Sequence, residues 1–589
     1  MDSETMEKSI PVFCSLNNIF FTGMKKTENA KFMWNDRIRD LYWNYASQVD
    51  VPESEAKTFI REVIAFFKEK DRTPAVCVTP FTRPKDLPSL LKASGFKVQE
   101  KEAWMFYKKQ DNMQDMPENI RITSVKTEED EKNYIGLFRK AYGGATPDEP
   151  YGELPQEYCE LIIDSFKNKN SHNTVLNLVA YHDDKPAGIA SVLFSDKYAY
   201  IYSIAVVPEK RKKGISSALT RYCISKAQKK NIENIFLITE HNSINEKIYE
   251  KLGFSTGSIG EIFVLDELVY GAKQAVNICV AVKPEEKVTV VTDKKTQAIA
   301  KYVIDEIRKV TGNLKIYNIE DYGKRPYNIP DFILKDIADS DAVFVMADYI
   351  FGEIPTLYRP INETVEKSRA RMAAMVELDE ELLRVGMNAD YKRIQDFSKK
   401  VHDIIKDAKE IRVITSLGTD FTVSLGHRWA ILDGFPKPGK WVNLPDGEVL
   451  TAPTDINGKI VIDGCAEFLG ILKSHPLAVE IEDGFARKET VACSDSDVKE
   501  KFEKYVFGSD ENSCRIGEFA FGTNIFLKKL CGNLTQDEKF PSIHIAFGDP
   551  HGSLTGAEWK SSLHMDAIIL RPTVYVDGKK IMDNGRYLI

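Results

Sequence analysis

At 589 residues, 43% hydrophobic and 29% charged, the chain has room for roughly three or four globular domains and the profile of a soluble protein. A net charge of -8 argues against a nucleic-acid partner, and no apolar run reaches the roughly 18 residues that a membrane span needs. Nine scattered cysteines without a Cys-x-x-Cys pair, behind a polar N-terminus with no apolar core, predict reduced thiols in a cytoplasm and no signal peptide.

Residues 30–70 read as helical, with Trp34, Ile38, Leu41, Tyr42 and Tyr45 at helix-like spacing. A strand over 73–79, a helix over 87–94 stopped by Gly95-Phe96 and a strand over 102–107 follow. The same order returns as a strand over 235–239, a helix over 245–252 stopped by Gly253-Phe254 and a strand over 261–265. The pair predicts an internal duplication.

The second copy carries the chemistry. An apolar strand over 198–207 runs into a basic, Gly-containing turn over 208–216 and then an amphipathic helix over 217–227. Free backbone N–H groups at a helix N-terminus, backed by its dipole, form a cradle for phosphate oxygens. Alone, the turn reads as an ordinary strand-to-helix connection with solvated charges; the order of elements around it decides otherwise. Residues 119–270 resemble the GNAT acetyltransferases. Their Arg/Gln-x-x-Gly-x-Gly/Ala loop stands here as Arg211-Lys212-Lys213-Gly214-Ile215-Ser216, with Ser a mild departure. Their Asn-x6-Tyr-x-Lys-x-Gly-Phe pattern stands as Asn242 through Tyr249 to Gly253-Phe254. The resemblance implies acetyl-CoA held by Val206, Val207, Arg211, Lys212, Gly214 and Ser216, with Asn242 beside the site. It also implies Tyr249 as the acid that protonates the leaving thiolate. Glu240 or a water chain are the open choices for the base. The first copy has no Arg-x-x-Gly turn before Cys77, so it reads as a degenerate half that shapes the acceptor pocket or only supports its neighbour.

After a junction over 269–275, strands over 287–293, 314–318 and 341–346 alternate with a helix over 296–310. That order predicts a parallel α/β sheet, and the lack of a Gly-x-Gly-x-x-Gly excludes a dinucleotide fingerprint. Residues 368–383 and 391–408 read as helices, and 411–415 with 420–424 as a hairpin. Three of the nine histidines, His544, His551 and His564, fall in residues 542–566. A lone histidine is more often structural than a ligand. Here, however, His564 and Asp566 share one face of a strand, and His544 sits between two isoleucines on the face they leave free. Such a cluster suits zinc or non-haem iron. Glu448 and Glu518 each follow a glycine in motifs with few other reasons for a carboxylate. His402, His427 and His475, and the carboxylates Glu482, Asp483, Glu489 and Asp495, read as structural or solvated.

Residues 285–589 are similar to the thermophilic metalloaminopeptidases of the aminopeptidase T and aminopeptidase S kind. The motifs Leu-Pro-x-Gly-Glu-Val-x-Thr-Ala-Pro, Gly-Glu-Phe-Ala-x-Gly-Thr-Asn, Ile-His-Ile-Ala-x-Gly and His-x-Asp occur in that order. The resemblance implies metal ligands at Glu448, Glu518, His544, His564 and Asp566, with one of Glu448 and Glu518 as catalytic base and the other as bridge. His551 stands where that family carries tyrosine, a departure that bears on the second metal. The same fold serves a mononuclear-iron dioxygenase of dihydroxypyridine. The expectation is therefore an α/β multidomain chain. A degenerate GNAT-like domain (1–115) and a GNAT N-acetyltransferase domain (116–270) form the tandem GNAT part. A Rossmann-like parallel α/β subdomain (271–408) and a mixed α+β metal-binding subdomain (409–589) follow. Acetyl-CoA and a divalent metal (zinc, or iron, cobalt or manganese) are the expected cofactors. A small-molecule or peptide substrate is the expected partner, with a homodimer through the aminopeptidase-like region. The expected function is an N-acetyltransferase joined to an aminopeptidase-like hydrolase. The alternatives for the C-terminal region are an iron oxygenase in a tailoring pathway or a non-catalytic binding module.

Overall fold

The computed structural model describes residues 3–16, 20–108, 117–143, 154–167, 175–348, 350 and 352–589. The boundary expected between residues 115 and 116 lies outside the described residues. The chain divides into two compact units, Met1–Asp266 and Glu267–Ile589. No helix among the described residues is long and apolar enough to cross a membrane.

The first unit is built on one eleven-stranded sheet. In chain order its strands are β1 (Gly23–Lys26), β2 (Lys31–Trp34), β3 (Tyr45–Ser47), β4 (Ala75–Val78), β5 (Phe96–Tyr107) and β6 (Ile120–Ser124). They continue as β7 (Val175–His182), β8 (Lys185–Phe194), β9 (Tyr198–Val206), β10 (Asn234–Glu240) and β11 (Phe254–Leu265). The helices are α1 (Ser3–Leu16), α2 (Ala56–Glu69), α3 (Leu87–Ala93), α4 (Glu128–Tyr142), α5 (Gln156–Lys167), α6 (Ile215–Lys229) and α7 (Ile244–Lys251). The sheet order is β1-β2-β3-β4-β11-β5-β10-β9-β8-β7-β6. The two halves are related by an exchange. The last strand of the first half, β5, pairs with β10 of the second, and the last strand of the second half, β11, pairs with β4 of the first. β5 and β11 then pair along their whole length. This buries both edges that a single half would leave open.

The helical reading of residues 30–50 does not hold. Those residues form β2, β3 and a short turn over Leu41–Trp43 between them. Phe32 packs 4.7 Å from the Phe66 ring of α2. The Asn35 and Asn44 side chains satisfy backbone groups of the connection, including Asn35 N and the Ile38 carbonyl. These side-chain bonds offer the backbone an alternative to the helical ladder, so local spacing lost to tertiary pairing. From residue 56 onward the helix is present as α2.

The second unit opens with helix α8 (Glu267–Lys273) and a five-stranded parallel sheet. Its strands are β12 (Val288–Thr292), β13 (Leu314–Asn318), β14 (Ala342–Val345), β15 (Arg371–Ala374) and the strand Lys440–Asn443. The expected helix over 368–383 is thus corrected: Arg371–Ala374 is a strand, parallel to β14 and to Lys440–Asn443. Met372 and Ala373 are buried among neighbours on both sides, and that placement overrides their helical propensity. The rest of the unit is antiparallel. A seven-stranded sheet contains, as neighbours, Glu448–Thr451, Ile516–Gly522, Ile543–Gly548 and His564–Ile569. One face of these strands carries Val449, Phe519, Phe521, Ile543, Ile545, Phe547, Met565 and Ile569 into the largest core of the unit. The period-two alternation leaves the other face for polar groups.

Candidate functional site

In the first unit the site begins where two parallel strands part. β9 and β10 pair only from Tyr198 to Ile201 against Asn234 to Leu237. Beyond that fork β9 runs on to Val206 and β10 to Glu240 without pairing each other. The β8–β9 register shifts between Ile189 and Ser191, and Ser203 takes a left-handed φ of 52°. This bulge bends β9 away from β10. The open fork leads to the turn before α6. Lys212 (φ 61°) and Gly214 (φ 78°) are both left-handed there, and Gly214 caps the helix with no side chain over its N–H groups. A Cβ at Gly214 would meet nothing within 4 Å, so the glycine serves the backbone conformation and open access rather than packing. First-turn N–H groups of Ile215 and Ser216 have no helical partner, which makes the turn an anion cradle.

Arg211, Lys212, Gly214 and Ser216 lie in this turn or at its helix start, and Val206 and Val207 lead into it. Arg211 turns inward, its guanidinium donating to the Val206 and Ala141 carbonyls. The Val207 N–H donates to the Ala187 carbonyl and its own carbonyl accepts from Lys210, so its backbone is already engaged. Asn242 is left-handed (φ 64°) and its N–H donates to Glu246, a buried carboxylate that also accepts from Thr256. Tyr249 lies edge-on to Phe254 at 6.1 Å, and burial raises its hydroxyl pKa, so the group stays protonated at neutral pH. In the first half, the equivalent turn between β3 and α2 carries Asp50, Glu53 and Glu55 and no glycine. Carboxylates there repel phosphate.

In the second unit, strand register assembles the other cluster. Glu518 lies opposite Ala546, and Ala546 opposite Asp566. His544 lies opposite Ala520, His564 opposite Gly548 and Glu448 opposite Gly522. Alternate residues are thus ligand-type side chains and Ala or Gly, which leaves the long side chains room to converge. His544 Nε2 is 3.1 Å from Glu518 Oε1 and 3.3 Å from Glu448 Oε2. Glu518 Oε2 lies 3.8 Å from Nε2 of both His551 and His564. Asp566 Oδ2 is 3.4 Å from His564 Nε2. Glu448, Glu518 and His544 form one group of converging donor atoms, and Glu518, His551 and His564 a second, each within 4.8 Å. Glu518 belongs to both.

Burial opposes a charge on His544, but the Glu448 and Glu518 carboxylates outweigh it and hold its pKa up at about 10. For Asp566, burial is likewise outweighed, by His564, and its carboxyl sits well below the usual range. The residues fit a divalent metal. The buried atoms His544 Nδ1 and Asp566 Oδ1 have no hydrogen-bond partner among the described residues. His564 donates Nδ1–H to the Asp549 carbonyl at 2.9 Å, which turns Nε2 toward the carboxylates. His551, left-handed at φ 48°, packs tilted against His564 with centroids 4.0 Å apart, so the residue that departs from the family pattern lies within the cluster.

The sequence reading missed four neighbours. Lys539 is fully buried, 2.7 Å from Glu448, 2.6 Å from Glu538 and 3.8 Å from Asp446. Glu467 is pushed up to about 8 by burial and by the Asp566 charge. In sequence, Asp-Glu-Lys-Phe540 is indistinguishable from a solvated charge run. His402, His427 and His475 are satisfied elsewhere, by Asp403, the Ala452 carbonyl and Ser494.

Comparison with known proteins bears on each unit. Residues 134–254 match the model of the Acetyltransferase (GNAT) family. Residues 268–524 match the model of 2,5-dihydroxypyridine 5,6-dioxygenase, a match that includes Glu448 and Glu518 but stops before His544. GCN5-related N-acetyltransferase 6, chloroplastic, of Arabidopsis thaliana is 27% identical over 77 residues, 13% of this chain and 27% of that protein. The match thus spans about a quarter of that relative's length, 27%. Among solved structures, 2,5-dihydroxypyridine dioxygenase from Pseudomonas putida KT2440 aligns at 16% identity and TM-score 0.44, over 55% of this chain and 96% of that one. Wild-type AmpT from Thermus thermophilus aligns at 16% identity and TM-score 0.43, over 55% and 99%. The forked strands, the left-handed glycine cradle and the family match together make residues 134–254 a GNAT-family acetyltransferase domain.

Proposed function

We propose that the chain is bifunctional: an acetyl-CoA-dependent N-acetyltransferase of a small amine, joined to a metal-dependent, aminopeptidase-like hydrolase of a peptide or amino-acid-like substrate. For the first activity, the turn Arg211–Ser216 and the half-buried end of β9 would hold acetyl-CoA, which supplies an activated acetyl thioester. Gly214 and Ser216 present backbone N–H groups to its pyrophosphate, and Lys212 adds positive charge. Tyr249, held protonated by burial, gives its proton to the departing sulfur. Acetyl-CoA is expected to raise the melting temperature of the wild-type chain and to leave Gly214→Trp unchanged. Equal protection of both proteins would refute the cradle.

For the second activity, one observation carries the reading: the two oxygens of Glu518 face different donor groups, His544 with Glu448 and His564 with His551. A carboxylate shared in this way suits a pair of divalent ions. Glu448, Glu518, His544, His564 and Asp566 would hold them, and they would supply a polarised carbonyl and an ionised water. Glu518 bridges. Glu448, with Lys539 against one oxygen and His544 against the other, would then serve as the base for that water.

A second reading, a mononuclear iron oxygenase on His544, His564 and Asp566, is favoured by the dioxygenase family match. Elemental analysis of protein purified without added metal separates the two. About two zinc or manganese per chain, with release of p-nitroaniline from amino-acid anilides, supports the hydrolase. About one iron per chain, with oxygen uptake on a dihydroxylated heteroaromatic, overturns it.

A further inference from the structure

The exchange of last strands places first-half residues beside β10, one arm of the second half's fork. β5 belongs to the first half by chain order, yet it is hydrogen-bonded between β10 and β11. In that register Trp104 lies opposite Ile238, and Glu102 opposite Glu240, on the stretch of β10 beyond the fork from β9. Trp104 and Glu102 point to the face that carries Phe236 and Tyr200. Trp104 stacks parallel to Phe236 at 6.1 Å, and Phe236 stacks on Tyr200 at 5.1 Å. From above, Phe13 of α1 closes edge-on over Trp104 and Tyr200.

Two details single this place out. Trp104 is 2% exposed, and its Nε1 has no hydrogen-bond partner among the described residues. On β11, the residue opposite Glu102 is Gly260. A Cβ there would lie 3.2 Å from Trp104 Nε1 and 3.6 Å from Glu102 Oε2. The glycine therefore leaves a donor and a carboxylate side by side with no side chain from β11 between them. Glu102 itself is half-buried, and no ion pair engages it among the described residues. Lys101, its neighbour, is committed to Glu261 at 2.7 Å.

We propose that Glu102, delivered by the exchanged strand of the first half, is the base of the second half's acetyl transfer, and that Glu102, Glu240 and Glu100 select an acceptor with a primary amine beside a second cationic group. The proposal rests on the acetyltransferase reading above. The amine nitrogen attacks the thioester carbonyl carbon, and its N–H proton passes to the Glu102 carboxylate as the C–N bond forms. The C–S bond then breaks and the sulfur takes the Tyr249 hydroxyl proton. Glu102 releases its proton to water and Tyr249 is reprotonated, so the products are an N-acetyl amine and a free thiol. The degenerate half thereby contributes a catalytic residue in place of the cofactor loop it lacks.

The charges around Glu102 suit that task. Burial first, then the Glu100 charge, raises its carboxyl to about 7. The groups facing it are Glu100 on its own strand, Glu240 on β10, Tyr200 on β9, Tyr45 on β3 and Cys77 on β4. Burial raises Tyr200, Tyr45 and Cys77, which leaves them neutral, so the charges that face Glu102 among the described residues are carboxylates. Glu100 in turn accepts from the Tyr42 hydroxyl and is itself raised by burial and by Glu240. An acidic pocket of this kind attracts a cation, and a carboxyl titrating near neutrality both takes and releases a proton.

The test uses the full-length chain with acetyl-CoA and a panel of putrescine, spermidine, lysine amide and benzylamine. Thiol release is followed from pH 5.5 to 9. The wild-type rate is expected to favour the three multiply charged amines over benzylamine and to rise through about pH 7. Glu102→Gln should lower it by about 100-fold or more and remove that inflection. The amine's own ionisation is common to both proteins and cancels in the comparison. Glu102→Asp should restore part of the rate and the inflection. Melting shifts with acetyl-CoA alone should match in all three, which shows the variants folded and the cradle intact. Glu102→Gln with the wild-type rate, or with the inflection retained, would overturn the proposal. So would no thiol release with any panel amine on a protein that acetyl-CoA still protects. No protection of the wild type by acetyl-CoA would instead sink the acetyltransferase reading beneath it.

Discussion

Lys539→Met probes how the metal-ligand strands are held. The ammonium is 1% exposed and contacts Glu448 at 2.7 Å and Glu538 at 2.6 Å. At an effective dielectric near 20, the Glu448 contact is worth about 6 kcal/mol before the cost of removing both charges from water, whereas burial raises Glu538 to about 8 and leaves its contact largely a hydrogen bond near neutrality. That cost is of similar size, so the intact cluster adds little net stability. Removing only the cation is different, because Glu448, Glu538 and Asp446 are then left buried without it. Such one-sided losses run to about 3–5 kcal/mol. In a unit of this size roughly 2 °C of melting temperature accompanies each kcal/mol, so a fall of about 6–10 °C is expected. The assay is calorimetry of chelator-treated wild type and variant, followed by titration with zinc. A divalent ion among the same carboxylates restores part of the loss, by linkage of binding to folding. A chelated variant that melts within about 2 °C of wild type would refute the reasoning, because the carboxylates would then need no buried cation.

Further outcomes follow from other sites. Glu102→Gln is expected to gain stability over wild type as pH rises. A carboxyl raised from 4.5 to about 7 binds more proton in the folded state, so wild type loses stability between those values and the glutamine does not. The gain at pH 8 over pH 5 should be about 1–2 kcal/mol after allowance for solvent screening, read from paired denaturant curves. A difference that is flat with pH would contradict it. Gly214→Val forces a branched side chain into φ 78°, costs about 1–2 kcal/mol of stability and abolishes acetyl-CoA protection. Unchanged protection would mean that the cradle tolerates other backbone conformations. Glu518→Gln should lower metal content in both donor groups at once, whereas Asp566→Asn should affect the His564 group alone, as read by elemental analysis of the purified variants. Equal loss in both variants would argue against the bridging role.

By itself the sequence determined the elements whose signal is local. The Arg211–Ser216 turn before an amphipathic helix, the Tyr249 helix stopped at Gly253 and the alternation around His544 and His564 are all fixed by spacing within about ten residues, the range over which helix and strand periodicity act. Each lies in the structure where its pattern put it. Where propensity and placement disagree, spacing failed. Residues 31–47 became a hairpin because β2 and β3 pair into the sheet, and Arg371–Ala374 became a strand because it is buried between two others. Only the tertiary structure decided which residues share a site. The crossing of β5 into the second half brings Glu102 to the fork beside Glu240, from 138 positions away in sequence by the paired numbering. Strand register sets Glu518 between two histidine groups, and folding buries Lys539 against Glu448. No local pattern encodes such pairings, because their free energy arises from burial and register between strands remote in sequence.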